Sequence, residues 1–139
     1  MLPPDINITA WIDPVIDQRG HRACSPYVEL FWLPVLGPSA TLLLRRLNLF
    51  LDMKPEGYRM QLDELSAALG LGQGNHRHAP LPRAIDRCDR FGLLQRPSPD
   101  HLAVRRFVGP LPERHIARLH PSLRDAHAAY HRPDVTSNR

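Results

Sequence analysis

The sequence predicts a single α+β domain that is mainly helical and carries one small antiparallel β-hairpin in its C-terminal half. The 139 residues suffice for one hydrophobic core, and 42% of them are hydrophobic, as expected for a globular domain. Apolar residues recur at spacings of three and four in several segments, which predicts amphipathic helices. Two short apolar segments flank the turn-forming run Arg96–His101, and this arrangement predicts the hairpin.

The N-terminal part of the chain contains one clear helix. Residues 1–26 hold four prolines among scattered polar residues, so we predict an extended arm without a core of its own. Tyr27–Leu36 is rich in aromatic and β-branched residues, which leaves both a strand and a short buried helix open. Ser39 is expected to cap a helix that extends to about Met53. Tyr58–Met60 is expected to be a short strand.

Two more helices precede the hairpin. The helix that follows Gln61 carries two carboxylates in its first turn and is expected to end at Gly70 in a left-handed conformation. Pro80 fits only the entry to the next helix, because proline lacks the amide proton that an interior position needs. The remaining predicted elements are this third helix at 80–91, hairpin strands at Leu93–Gln95 and Leu102–Phe107, and an extra C-terminal helix from Pro112.

The third helix has one apolar face and one basic face. At about 100° per residue, Leu81, Ile85 and Cys88 fall within one sector of the helix. The three arginines of the helix fall in the opposite sector, and they are Arg83, Arg87 and Arg90. A helix fits the major groove of DNA, and arginine donates two hydrogen bonds to guanine or to a phosphate. This face therefore suggests contact with duplex DNA, and the alternative is a solvated face of paired arginines and aspartates.

The charge is distributed unevenly along the chain. Residues 1–64 carry six basic and eight acidic groups, whereas residues 65–139 carry twelve basic and six acidic groups. This asymmetry indicates an anionic partner for the C-terminal half. The alternative is a solvated surface without a specific partner.

Two runs of sequence resemble bacterial winged helix-turn-helix regulators. The run from Gln61 to Gly72 is QLDELSAALGLG and resembles the first part of a helix-turn-helix. The run from Leu81 to Leu94 is LPRAIDRCDRFGLL and resembles a recognition helix that leads into a wing. The resemblance spans about Pro38 to Val108. One departure is the loop from Gly70 to His78, which is longer than the tight turn usual in this family.

The resemblance implies a winged helix-turn-helix domain at 27–131, with a hairpin wing and an extra C-terminal helix. It lies between the N-terminal arm at 1–26 and a disordered tail at 132–139. The implied DNA-binding residues are Asn75, His76, Arg77 and His78 in the loop, Arg83, Arg87 and Arg90 on the third helix, and Arg96, Arg105 and Arg106 in the wing. Because strand side chains alternate, only one of Arg105 and Arg106 is expected to contact DNA.

The sequence lacks the motifs of common catalytic and metal sites. It has no glycine-rich phosphate loop and no nucleophile elbow, and its close histidine spacings lack a second matching pair. We therefore predict no catalytic residue, no metal and no cofactor. The first residues lack a secretory signal, and no apolar run is long enough to span a membrane. The expected location is cytoplasmic and nucleoid-associated.

The predicted function is that of a sequence-specific duplex DNA-binding protein, a transcriptional regulator rather than an enzyme. A homodimer is one expectation, and the segments that could form its interface are Leu42–Leu51, Trp32 and the stripe Ile116, Leu119, Leu123 and Tyr130. These residues could equally close the core of a monomer. The alternative function is a winged-helix protein-interaction module within a larger complex, docking through Trp11 and Trp32.

Overall fold

The computed structural model describes residues 2–130, in which helices and a mixed β-sheet enclose one hydrophobic core. The α+β class predicted from the sequence is confirmed. The helices are α1 (Pro14–Arg19), α2 (Leu33–Leu36), α3 (Pro38–Met53), α4 (Leu62–Ala68), α5 (Pro80–Arg90), α6 (Glu113–Ile116) and α7 (Pro121–Ala129). The strands are β1 (Asp5–Trp11), β2 (His21–Arg22), β3 (Tyr58–Gln61), β4 (Leu94–Ser98), β5 (His101–Arg105) and β6 (Phe107–Val108). The tail expected at 132–139 lies outside the described residues.

Strand β1 lies in the middle of the main sheet. It pairs antiparallel with β3 and parallel with β5, so the strand order is β3-β1-β5-β4. Ile6 and Ile8 are buried on the core face, and Asn7 and Thr9 alternate with them on the other face. The sequence predicted an extended arm without a core of its own at residues 1–26. In the structure this part of the segment is a strand whose alternate side chains face opposite sides, so Ile6 and Ile8 pack into the common core.

The hairpin predicted near the C-terminal end is present. β4 and β5 pair antiparallel around the turn Pro99–Asp100, with a register shift between Gln95 and Ser98. The far edge of β5 is occupied by β1, and the backbone amide of Asn7 donates to the carbonyl of Asp100 at 2.7 Å. The hairpin is therefore part of a four-stranded sheet and is not a free ribbon.

Helix α3 forms the centre of the helical layer. Its inner face buries Leu43, Leu44, Leu47 and Leu51. The helix begins at Pro38 after Gly37, whose φ of 83° is in the region that favours glycine. Ser39 therefore lies within the first turn and is not the capping residue that the sequence suggested. Tyr27–Leu36 is helical, with a π-helical turn at Val28–Trp32 that leads into α2.

The apolar face of helix α5, which the sequence predicts to be part of the core, packs against α3. Leu81, Ile85 and Cys88 are buried, and the Cys88 thiol lies 3.4 Å from the carbonyl oxygen of Ala40. Burial raises the pKa of this thiol to about 12, so Cys88 is a packing residue. Gly92 follows the helix with a φ of 72° and ends it where the sequence predicted.

The chain's own core accounts for most of the residues proposed for a dimer interface. Trp32 and Leu119 are buried, and Leu123 and Tyr130 pack against the core at its edge. Leu42 and Leu49 are the exposed leucines of α3. These contacts favour the reading in which the residues close a monomeric core.

No helix within residues 2–130 combines the length and the apolar character needed to cross a bilayer.

Candidate nucleic-acid interface

A groove of about 640 Å³ lies between the start of α3 and the outer face of α5. Residues 36–40 form one wall, and the other wall consists of the solvent-facing side of α5 and the two loop residues before it. The ionisable side chains that line this arginine groove are Arg77, His78, Arg83, Arg87 and Arg90, with Asp86 as the acidic one. Four arginines and one aspartate give the groove a strongly positive potential.

Arg83 and Arg90 are exposed on α5, seven positions apart. Among the residues that the structure describes, neither guanidinium has a hydrogen-bond or ion-pair partner. Their charges are therefore not neutralised by the fold. They are available to an anion in the groove or beyond it.

Arg87 is held in place by the end of helix α2. Its Nε donates to the carbonyl of Leu36 at 2.6 Å and its Nη2 to the carbonyl of Val35 at 2.7 Å. The guanidinium also lies 5.4 Å from the centre of the Phe91 ring. Carbonyls at a helix C-terminus attract a cation, but they carry no full charge. Arg87 thus has a structural role and still contributes its positive charge to the groove.

The loop before α5 contributes two of the four predicted residues to the groove. Arg77 and His78 line it, and the Nε of Arg77 donates to the Nε2 of His78 at 3.2 Å. Asn75 instead fixes the N-terminal segment, because its Nδ2 donates to the Leu2 carbonyl at 2.9 Å and its own carbonyl accepts from the Leu2 amide at 3.1 Å. His76 is exposed but does not line the groove.

The three arginines predicted for the wing are engaged within the fold. Arg96 pairs with Asp86 at 3.4 Å, which compensates the one acidic side chain of the groove. Arg106 donates to the Asn48 carbonyl and side chain at 2.8 Å each and contacts Asp52. These contacts give both arginines intramolecular partners and leave them outside the lining of the groove.

Arg105 joins the sheet to the segment after β1. Its Nη1 donates to Asp13 at 2.9 Å, its Nε donates to the Gly92 carbonyl at 2.8 Å, and its guanidinium lies 3.6 Å from the centre of the Trp11 ring. The hydrogen bond from Arg105 holds the pKa of the Asp13 carboxyl below its ordinary value. Neither Arg105 nor Arg106 is free, although strand alternation predicted that one of them would be.

Replacing Arg105 with methionine is expected to lower the free energy of unfolding by about 1–3 kcal/mol, because charge-assisted hydrogen bonds are lost from a largely buried side chain. The affinity for duplex DNA should stay within twofold of the parent chain. Urea unfolding and a DNA titration measure the two quantities. Arg114→Met, at an exposed position, is the control for loss of one charge. A large loss of DNA affinity in a stably folded Arg105→Met chain would mean that Arg105 contacts DNA after all.

The sequence did not indicate that the start of α3 forms the second wall. Ser39 was expected to cap the helix after the break at Gly37 and Pro38, but no local pattern places that helix start beside α5. Within residues 2–130, no three His, Cys, Asp or Glu side chains converge in a way that could hold a metal ion. The arrangement is suited to binding an extended anion.

Comparisons of the chain with models of known protein families, with curated proteins and with solved structures gave no match.

Proposed function

We propose that this chain is a winged-helix DNA-binding protein that contacts duplex DNA through α5 and the arginine groove. The observation that carries the proposal is the row of arginines on the outer face of α5, two of which have no partner among the described residues. Arginine binds phosphate oxygens and guanine edges with two parallel hydrogen bonds. The same row is the one that the sequence resemblance assigns to a recognition helix.

The order of elements also supports the proposal. Helices α3, α4 and α5 are followed directly by the β4–β5 hairpin, which is the order that the winged-helix resemblance implies. Strand β1 is an addition to that arrangement, because it separates β3 from β5 in the sheet. None of the residues of β1 lines the arginine groove.

The alternative of a protein-interaction module has less support. That reading requires an apolar surface at the two tryptophans. Trp32 is buried and its Nε1 donates to the Gly109 carbonyl at 3.2 Å. Trp11 is half-buried and covered by the Arg105 guanidinium. Neither tryptophan therefore offers the exposed apolar patch that would dock a partner, and we favour DNA.

The test is a titration of a short labelled duplex of random sequence over about 50–200 mM salt. The logarithm of affinity should fall linearly with the logarithm of salt concentration, because bound arginines release counterions from phosphates. The double variant Arg83→Ala/Arg90→Ala should bind about tenfold or more weakly, with a salt slope smaller by about 2. Selection from a pool of random duplexes then determines whether the chain prefers a sequence, as a transcriptional regulator does.

The matched control is Arg114→Ala/Arg118→Ala, which removes two exposed arginines that do not line the groove. It changes the net charge by the same amount and should retain the affinity and the salt slope. Equal losses in the two double variants would mean that DNA responds only to net charge. That result, or no binding at low salt, would overturn the proposal.

A further inference from the structure

The arginine groove is a concave depression, and a helix that reads DNA does not need one. A recognition helix has to protrude in order to enter the major groove. Here the basic face of α5 forms one wall of a depression of about 640 Å³. This volume lies within the range of about 300–1,000 Å³ that is typical of sites for small molecules.

The spacing of the arginines selects an elongated anion. At a rise of about 1.5 Å per residue, Arg83 and Arg90 are about 10 Å apart along the axis of α5, with Arg87 between them. A single carboxylate or phosphate would contact at most neighbouring arginines of this row, which lie three or four positions apart. A chain of linked phosphates can contact Arg83 and Arg90 in succession, and the guanidinium forks of these two arginines match the oxygens of a phosphate. Arg87 adds its positive charge between them.

The groove is also preorganised. The two carbonyls at the end of α2 fix the fork of Arg87 before any ligand arrives, so binding costs little side-chain entropy at this position. Because those carbonyls are neutral, the fixed guanidinium keeps its charge. The one acidic side chain of the groove, Asp86, is paired with Arg96 from outside it.

We propose that the arginine groove binds the phosphate chain of a small phosphorylated molecule, and that this ligand excludes DNA from the same arginines. The second half of the proposal rests on the DNA-binding function proposed above, whereas the first half does not. A linear phosphate chain occurs in inorganic polyphosphate and in the tail of a nucleoside triphosphate. Both present the same chemistry to the groove.

The direct test is calorimetric titration of the full chain with tripolyphosphate at constant ionic strength. We expect one saturable site per chain. Arg83→Ala/Arg90→Ala should lower the affinity at least tenfold, and Arg114→Ala/Arg118→Ala should leave it within twofold. Thermal melts should show that both double variants remain folded, because the four side chains are exposed. Absent saturation, several equivalent sites, or equal losses in the two double variants would overturn the proposal.

Two further titrations identify the source of the phosphate chain. Equal affinities for adenosine triphosphate and tripolyphosphate, with much weaker binding of adenosine monophosphate, would assign recognition to the chain alone. Tighter binding of adenosine triphosphate than of tripolyphosphate would indicate that the protein also contacts the nucleoside. Adenosine monophosphate that binds as tightly as the triphosphate would contradict recognition of a phosphate chain.

Competition with DNA separates this proposal from the proposed function. Tripolyphosphate should displace a labelled duplex at concentrations set by its own dissociation constant at constant ionic strength. A chain that binds tripolyphosphate at the groove but no duplex would keep the small-molecule site and overturn DNA binding. A chain that binds duplex but not tripolyphosphate would overturn the small-molecule site alone. Simultaneous binding of both would overturn the exclusion.

Discussion

Replacing Ile8 with alanine is expected to lower the free energy of unfolding by about 2–5 kcal/mol. Ile8 is 0% exposed and lies between Tyr58 of β3 and Leu102 of β5 in the register of the sheet. Its removal leaves a cavity that the neighbouring side chains fill only in part. Because small domains are stable by about 5–15 kcal/mol, this one change removes a large share of the total.

The matched control is Ile12→Ala, because Ile12 is 71% exposed just after the same strand. The same chemical change at this position should alter stability by no more than about 0.5 kcal/mol. Urea unfolding of the two variants beside the parent chain gives both values. Small and equal effects would mean that β1 is a dispensable arm, as the prolines of residues 1–26 suggested. A large effect confined to Ile8 would establish β1 as part of the folded unit.

The sequence contained a local signal for β1 that the prolines obscured. From Asp5 to Trp11, apolar and polar residues alternate over the first five positions, which is the pattern of a half-buried strand. The pairing of β1 with β5 is a different matter. It joins segments more than ninety residues apart in register, as Asn7 with His101 shows, and no local pattern encodes such a contact. The N-terminal strand could be predicted, but its place in the sheet could not.

Helix α5 shows what local sequence determines well. Its apolar sector and its arginine sector both follow from a period of about 3.6 residues, and the structure buries the first and exposes the second. The fate of single arginines depends instead on distant partners. Arg87 meets the end of α2, and Arg105 meets Asp13, which is ninety-two positions away. The local sequence therefore does not distinguish arginines that remain without a partner from arginines that bond to distant parts of the chain, because those partners come together only on folding.

Replacing Arg87 with lysine is expected to lower the free energy of unfolding by about 1–3 kcal/mol although the charge is kept. The guanidinium places Nε and Nη2 on two successive carbonyls of α2 at 2.6 and 2.7 Å. A lysine ammonium is a single flexible donor group and cannot reproduce this rigid fork. One carbonyl at the end of α2 would then lose its partner, and the contact that ties α5 to α2 would loosen.

Arg83→Lys is the matched control for this prediction, because Arg83 is exposed on the same helix and has no partner among residues 2–130. Its stability should change by no more than about 0.5 kcal/mol. Urea unfolding measures the difference, and a DNA titration of both variants separates anchoring from contact. Equal stabilities would contradict the anchoring role of Arg87. A destabilised Arg87→Lys chain that also binds DNA more weakly than Arg83→Lys would link the two roles, because the same fork that anchors α5 to α2 holds one wall of the groove against the other.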